Sequence, residues 1–190
     1  MKERMIMEEI IIHDTRLVLI EGNITLEKTD AIVNAASSKL RGGGGVDGAI
    51  HQAGGPKILE ECMKYQNCPT GETRVTSGGN LSAKYVIHTV GPIWSGGNKQ
   101  ESVLLSKCYS NAMKTADELK LTSISFPSIS TGVYKYPVNQ AAKIALKTVI
   151  DYIESTNTSL KEVRFVLYKE RNYRAYSEAL SEVRATRKAQ

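Results

Sequence analysis

The chain has 190 residues, a length that suits one domain with a substantial hydrophobic core. A hydrophobic content of 41% and a charged content of 24% are ordinary for a globular protein and exclude a disordered or fibrous chain. No apolar run approaches the roughly 20 residues of a membrane span, and the N-terminus lacks the apolar core of a signal peptide. We therefore expect a single cytoplasmic domain over residues 1–190, with its core at about 9–184 and a short basic C-terminal tail.

The formal net charge of +5 suits an anionic ligand. The basic residues are scattered and no aromatic–basic cluster is present, so an RNA-binding module is the weakest hypothesis for this charge. We expect neither a membrane nor a nucleic acid as a partner. The three cysteines, Cys62, Cys68 and Cys108, are an odd number without metal-like spacing. We interpret them as free thiols in a reducing compartment and predict neither a metal site nor a cofactor.

Apolar periodicity and turn residues predict strands and helices that alternate along the chain. The predicted strands cover 9–20 (one or two strands), 31–35, 72–77, 85–90, 123–126 and 163–168. The predicted helices cover 46–53, a short segment opened by Pro56, 101–119, 137–153 and 172–184. This order favours an α/β domain, a three-layer α/β/α sandwich with a central mixed sheet. Ligands of such folds bind at the carboxyl ends of strands, so the loops after Val33 and after Phe126 form the candidate site.

Four consecutive glycines, residues 42–45, join the strand at 31–35 to the helix at 46–53. Glycines in a row lose much backbone entropy on folding, so a chain keeps them where side chains would collide with something close. Backbone amides at a helix start form a nest for phosphate, here with Asp47 beside it. The alternative is a flexible turn in which Asp47 only complements the helix dipole. The spacing matches neither common glycine-rich nucleotide motif closely.

A second strand-to-helix junction, residues 127–134, is rich in hydroxyl groups and contains one glycine and one tyrosine. Taken alone, it is more typical of a hydroxyl-rich turn than of a binding loop. Two such loops in one α/β domain indicate a ligand with more than one phosphate, or a diphosphate between two sugars. Because neither loop has a lysine or arginine at its centre, backbone amides would hold the phosphates, each contributing roughly 1.5–3 kcal/mol.

Four segments together resemble the macrodomain family, in particular the MacroD-type ADP-ribosyl hydrolases and O-acetyl-ADP-ribose deacetylases. They are residues 30–36, 42–51, 85–92 and 126–134, and the resemblance covers about 19–183 in one register. The resemblance implies that the chain binds ADP-ribose and hydrolyses its esters without a metal. The implied substrates are mono-ADP-ribosylated Asp or Glu side chains of proteins and O-acetyl-ADP-ribose.

The resemblance also implies roles for individual residues. Asp47 matches the carboxylate that assists the attack of water, with Ser37 beside the distal ribose. Tyr168 would stack on adenine or simply close a strand, and His51 would either support Asp47 or pack; we expect His88 to be structural. The implied ligand-binding residues are Asn23, Ile24, Asn34, Gly43, Gly44, Gly45, Val46, His51, Ser130, Thr131, Gly132, Val133, Tyr134 and Tyr168.

Two positions depart from the family pattern. The usual Gly-Asp-Ile reads Gly22-Asn23-Ile24 here, so an uncharged amide oxygen would accept the adenine hydrogen bond and bind it more weakly. The usual Asn-Ala-Ala-Asn ends in Ser37, and losing a well-placed polar contact costs about 1–3 kcal/mol. Because Asp47 is retained, we predict slowed hydrolysis, and a non-catalytic ADP-ribose reader is the alternative hypothesis.

Overall fold

The computed structural model describes residues 7–188. The strands are β1 Met7–Ile12, β2 Thr15–Glu21, β3 Ala31–Ala35, β4 Thr73–Ser77, β5 Tyr85–Thr89, β6 Ser123–Phe126 and β7 Glu162–Leu167. The α-helices are α1 Gly45–Gly54, α2 Pro56–Cys62, α3 Glu101–Glu118, α4 Val138–Ser155 and α5 Glu170–Lys188, and a 3-10 turn spans Ile24–Leu26. The seven strands form one sheet in the order β1-β2-β7-β6-β3-β5-β4.

The sheet is mixed and lies between two helical layers, as predicted. Its two outer pairs, β1 with β2 and β4 with β5, are antiparallel, and the inner pairs are parallel. Helices α3, α4 and α5 pack side by side over the larger apolar core, whereas α1 and α2 cover a smaller core on the opposite face. The chain thus folds as a three-layer α/β/α sandwich.

Strand β3 directs a polar side chain into the smaller layer. Val33 belongs to the larger core and Ile32 to the smaller one, because successive side chains of a strand point to opposite faces. Asn34 therefore faces the same side as Ile32, towards α1, and it is fully buried. The buried side-chain amide of Asn34 needs hydrogen-bond partners, and helix α1 supplies one of them.

The two candidate loops start at the same edge of the sheet. Strands β3 and β6 are parallel neighbours, so their carboxyl ends lie side by side. The loop at 36–44 leaves β3 for α1, and the loop at 127–137 leaves β6 for α4. The prediction that these two junctions lie together is confirmed by the strand order.

Every predicted strand and helix is present, with ends that shift by a few residues. The 3-10 turn was not predicted, because three residues carry too little periodicity. Helix α5 continues to Lys188, so the basic C-terminal residues up to that point are helical rather than a separate tail. Arg184 within it contacts Glu8 of β1 at 3.0 Å. Among residues 7–188, no helix has both the length and the apolar character that a membrane crossing requires.

Candidate functional site

The glycine-rich loop presents bare backbone to the outside of the molecule. Gly42 and Gly45 have φ values of +79° and +60°, a region that favours glycine. A Cβ at Gly48 would lie 2.4 Å from the carbonyl oxygen of Gly43, so the loop can fold tightly onto the first turn of α1. At Gly44, by contrast, a Cβ would meet no atom within 4 Å. No side chain caps the N-terminus of α1, which leaves its first N–H groups available to an anion.

Asp47 lies in the first turn of α1 and is only 5% exposed. The side-chain amide of Asn34 donates a hydrogen bond of 2.7 Å to its Oδ1, and His51 Nε2 lies 3.4 Å from the same oxygen. Burial raises the pKa of Asp47, whereas the Asn34 hydrogen bond and the charge of His51 lower it. Asn34 and His51 therefore favour the ionised carboxylate against the effect of burial.

Asn34 is held in turn by a buried histidine. His88 lies opposite Asn34 in the β3–β5 register, and its Nδ1 is 3.1 Å from the Asn34 side-chain nitrogen. Because that nitrogen can only donate, His88 Nδ1 accepts and its Nε2 carries the proton, directed at Thr76 Oγ1 at 2.9 Å. The Thr76 hydroxyl donates to the carbonyl oxygen of Ser77. Burial lowers the pKa of His88 to about 3, so the ring is neutral.

Sequence spacing did not reveal that His51, Cys62 and His88 come together. Their ligand atoms all lie within 4.8 Å of one another, a set that could hold a soft metal ion. Both ring nitrogens of His88 are already in hydrogen bonds, and burial raises the pKa of the Cys62 thiol to about 11. A metal ion would have to displace these interactions, so hydrogen bonding explains the cluster more simply.

The second loop carries two buried hydroxyl groups at the end of β6. Ser130 adopts a φ of +65°, and its Oγ is buried without a hydrogen-bond partner among the described residues. Thr131 is anchored, because its hydroxyl donates to the carbonyl oxygen of Ser128 at 3.1 Å. Gly91, which follows β5, packs so tightly here that a Cβ would lie 2.0 Å from Ser130 Oγ. The contact with Gly91 therefore holds the inner side of this loop in place, whereas Gly132 faces open space.

The remaining predicted residues occupy different positions around this edge. Ser37 is half-buried, and within residues 7–188 no hydrogen bond joins its side chain to Asp47. Val46 packs partly into the smaller core, whereas Val133 is 85% exposed. Tyr134 is half-buried, and its carbonyl oxygen accepts a hydrogen bond from the backbone of Trp94.

The loops after β2 and β7 meet at the far end of the same edge, because these strands are parallel neighbours. Tyr168 is 77% exposed here, and Ile24 is buried. The Oδ1 atom of Asn23 accepts hydrogen bonds from the backbone N–H and the hydroxyl of Thr25, at 3.0 and 2.8 Å. Both acceptor positions of this oxygen are thus occupied, which reduces its capacity for any further hydrogen bond.

Known proteins resemble this chain along most of its length. The O-acetyl-ADP-ribose deacetylase of Salmonella typhimurium is 50% identical over 173 residues, which cover 88% of this chain and 96% of that protein. A macro domain-containing protein of Caldanaerobacter subterraneus is 56% identical over 172 residues, with 88% and 97% covered.

Solved structures agree with the sequences. The Oceanobacillus iheyensis macrodomain with ADP superposes with a TM-score of 0.92 at 44% identity, covering 97% of this chain and all of that one (100%). The Trypanosoma brucei macrodomain in complex with ADP-ribose gives a TM-score of 0.82 at 41% identity, covering 86% of this chain and 68% of that one. The family model described as Macro domain matches residues 33–145. By sequence and by structure alike, this chain belongs to the macro domain family.

Proposed function

We propose that this protein binds ADP-ribose along the carboxyl edge of its sheet and hydrolyses ADP-ribosyl esters. The observation that carries the proposal is a buried carboxylate beside an open nest of backbone amides. Asp47 Oδ2 lies 3.2 Å from the position that a Cβ would take on Gly43, so the carboxylate adjoins the glycine loop directly. The names of the Salmonella relatives, O-acetyl-ADP-ribose deacetylases, support the same chemistry.

The strand order supports one direction for the ligand. The loops after β2 and β7, then β6, then β3 follow one another along the edge. Adenine would lie near Ile24 and Tyr168, and the diphosphate over the loops at 43–46 and 130–134. The distal ribose would then reach Asp47 and Ser37. The hydroxyl of Ser130, which has no hydrogen-bond partner among residues 7–188, would offer a hydrogen-bonding group beneath the diphosphate.

In the proposed reaction, Asp47 accepts a proton from water, either directly or through a ribose hydroxyl. The water oxygen attacks the acyl carbon of the ester, and the bond between that carbon and the ribose oxygen breaks. The proton held by Asp47 passes to the ribose oxygen, so the products are ADP-ribose and a carboxylic acid. Asp47 must be ionised to act as a base, and Asn34 and His51 favour that form against the effect of burial. The phosphate-binding loops would contribute by holding the ester at the right distance and orientation for attack by the water.

The proposed substrates are O-acetyl-ADP-ribose and proteins mono-ADP-ribosylated on Asp or Glu. We also propose a reducing compartment, the cytoplasm, because Cys62, Cys68 and Cys108 are buried free thiols.

A non-catalytic ADP-ribose reader is the second candidate function. Ser37 favours it, because a hydroxyl replaces the family amide beside the distal ribose. The occupied oxygen of Asn23 points to weaker adenine binding in either case.

One experiment separates the two functions. The protein is incubated with a carboxylate-linked mono-ADP-ribosylated protein, and release of ADP-ribose is followed alongside calorimetric binding of ADP-ribose. We expect slow release by the wild type, faster release by Ser37→Asn, and a loss of roughly 10²–10⁴ in rate for Asp47→Ala with binding retained. Turnover that survives in Asp47→Ala would exclude this residue as the base. Tight binding without any release would identify a reader.

A further inference from the structure

A cavity of about 260 Å³ adjoins the second loop on the side away from the proposed adenine position. Its lining includes Ser38, Gly91, Ile93, Lys99, Leu104 and Tyr134. We propose that this cavity is the subsite for the protein side of the substrate, the ester-linked Asp or Glu residue and its acidic flanking peptide. The proposal rests on the function proposed above and names the substrate class that the site prefers.

The position of the cavity follows from the strand order. Beyond β3 the next strand along the edge is β5, about 4.8 Å away. The residues after β5, including Gly91 and Ile93, form one wall of the cavity. Ser38 directly follows Ser37, and Tyr134 ends the second loop. A ligand that runs from β2 towards β3 therefore leaves its distal ribose beside this opening, and the attached group continues into it.

The wall of the cavity is built to keep its shape. The buried carboxylate of Glu101 accepts hydrogen bonds from the backbone N–H groups of Ser95, Gly97 and Lys99, at 2.9, 3.1 and 2.6 Å. The Trp94 N–H donates to the carbonyl oxygen of Tyr134 at 2.9 Å, which ties this wall to the second ligand loop. A site that is already formed loses little entropy when a ligand enters.

The part of the cavity that Ser38 lines is also held in place, because the carbonyl oxygen of Ser38 accepts a hydrogen bond of 2.9 Å from the Cys68 N–H. The volume is several times the roughly 30 Å³ that one liquid water occupies, so there is room for more than an acetyl group. An amino-acid residue with its neighbouring backbone would use this space.

The charge of the cavity favours an acidic occupant. Lys99 takes part in no ion pair with the rest of the described chain, residues 7–188. The neighbouring acid, Glu101, directs its charge at the backbone N–H groups named above and is 1% exposed. The cavity therefore offers apolar contact to side-chain methylene groups and one available cation at its rim. A protein modified on Asp or Glu within an acidic segment matches both properties, because the methylene groups of the modified side chain suit the apolar wall and the flanking acids suit Lys99.

Binding of an inert ligand tests the subsite independently of hydrolysis. The probe is an acidic peptide that carries ADP-ribose on glutamate through an amide in place of the ester, compared with free ADP-ribose by calorimetry. We expect the peptide conjugate to bind at least fivefold more tightly. Leu104→Trp, which fills the cavity, and Lys99→Glu, which reverses its charge, should each remove this gain and leave the affinity for free ADP-ribose unchanged.

Lys120→Glu is the matched control. It makes the same charge change beyond the opposite end of α3, about 27 Å away for an 18-residue helix, and should retain the gain. Equal affinity of the two ligands for the wild type, or equal weakening of both by the cavity variants, would overturn the subsite while leaving the proposed function intact. A protein that binds neither ligand would overturn the proposed function itself.

Discussion

The side-chain amide of Asn34 donates a hydrogen bond of 2.7 Å to Asp47 Oδ1, joining the central strand β3 to the first turn of α1. This contact places the carboxylate next to the glycine loop and opposes the rise of its pKa on burial. The remaining oxygen of Asn34 is buried and has no partner among the described residues. An unsatisfied buried acceptor is costly, and such groups are tolerated where function requires the arrangement.

Asn34→Ala should shift the acidic limb of the pH–rate profile to higher pH. Without the amide, burial of Asp47 is opposed only by His51, so the pKa of Asp47 rises further and less of the base is ionised at neutral pH. A hydrogen bond to a charged group contributes about 1.5–3 kcal/mol, so we expect the acidic limb of the kcat profile to move up by roughly one to two pH units.

Asn111→Ala is the control for this change, since the hydrogen bond that its amide donates goes to the carbonyl oxygen of Gly71 and not to Asp47. The control should keep the wild-type profile. An Asn34→Ala enzyme whose acidic limb stays in place would show that Asn34 does not set the ionisation of Asp47.

Thr76→Val should change the pKa of Asp47, although Thr76 acts on it only through His88 and Asn34. Valine cannot accept the proton of His88 Nε2, so this buried proton loses its acceptor and the ring is no longer held in place. A tilt of the ring would move Nδ1 away from the Asn34 nitrogen and loosen the amide that donates to Asp47. We expect a raised pKa of the Asp47 carboxyl, followed by carbon NMR, with rescue by Thr76→Ser.

The other ionisable groups close to His88 are His51 on α1 and Glu61 and Cys62 on α2, and none of them changes in this variant. Thr15→Val is a matched control, because it removes a buried hydroxyl that donates to the carbonyl oxygen of Leu160 far from the site. If the pKa of Asp47 shifts equally in Thr76→Val and Thr15→Val, Thr76 acts only through the general stability of the fold.

His88 should make the fold lose stability as the pH falls. Burial lowers its pKa to about 3 in the folded protein, against about 6.5 in an unfolded chain. The contribution of the neutral ring is therefore complete above about pH 6.5 and declines as the pH falls towards 3. Below pH 6 the slope due to this group approaches about 1.4 kcal/mol per pH unit.

Urea unfolding of the wild type and His88→Gln between pH 8 and pH 5 measures this difference. His88→Gln should have a lower free energy of unfolding than the wild type at pH 8, and the difference between the two should narrow towards pH 5. A difference that does not change with pH would mean that His88 is not held neutral.

Gly44→Ala should separate ligand binding from folding. A Cβ at this position meets no protein atom within 4 Å, so the melting temperature should change little. The same methyl group would occupy the space that we assign to phosphate, and we expect ADP-ribose affinity to fall by tenfold or more. Unchanged affinity in calorimetry would show that the phosphate does not approach this glycine.

Much of the fold could be predicted because its signals are local. The alternating segments, the glycines before α1 and the proline that opens α2 are properties of a few adjacent residues, and each corresponds to an element in the structure. The α/β class and the pairing of the two loops followed from that order. The resemblance to macrodomains added the ligand and the place of Asp47.

Only the tertiary structure decided how the candidate site is supported. Asn34 and His88 are 54 positions apart, and they meet because β3 and β5 pair in one particular register. The raised pKa of Asp47 depends on how deeply α1 is buried, and the cavity beside Tyr134 depends on β5 being the next strand after β3. The sequence by itself determined the elements and their chemistry, because periodicity and turn propensity act over short stretches. Strand order, register and burial are set by the packing of the whole chain. The ionisation of Asp47 and the shape of the cavity beside Tyr134 therefore depend on that packing as well.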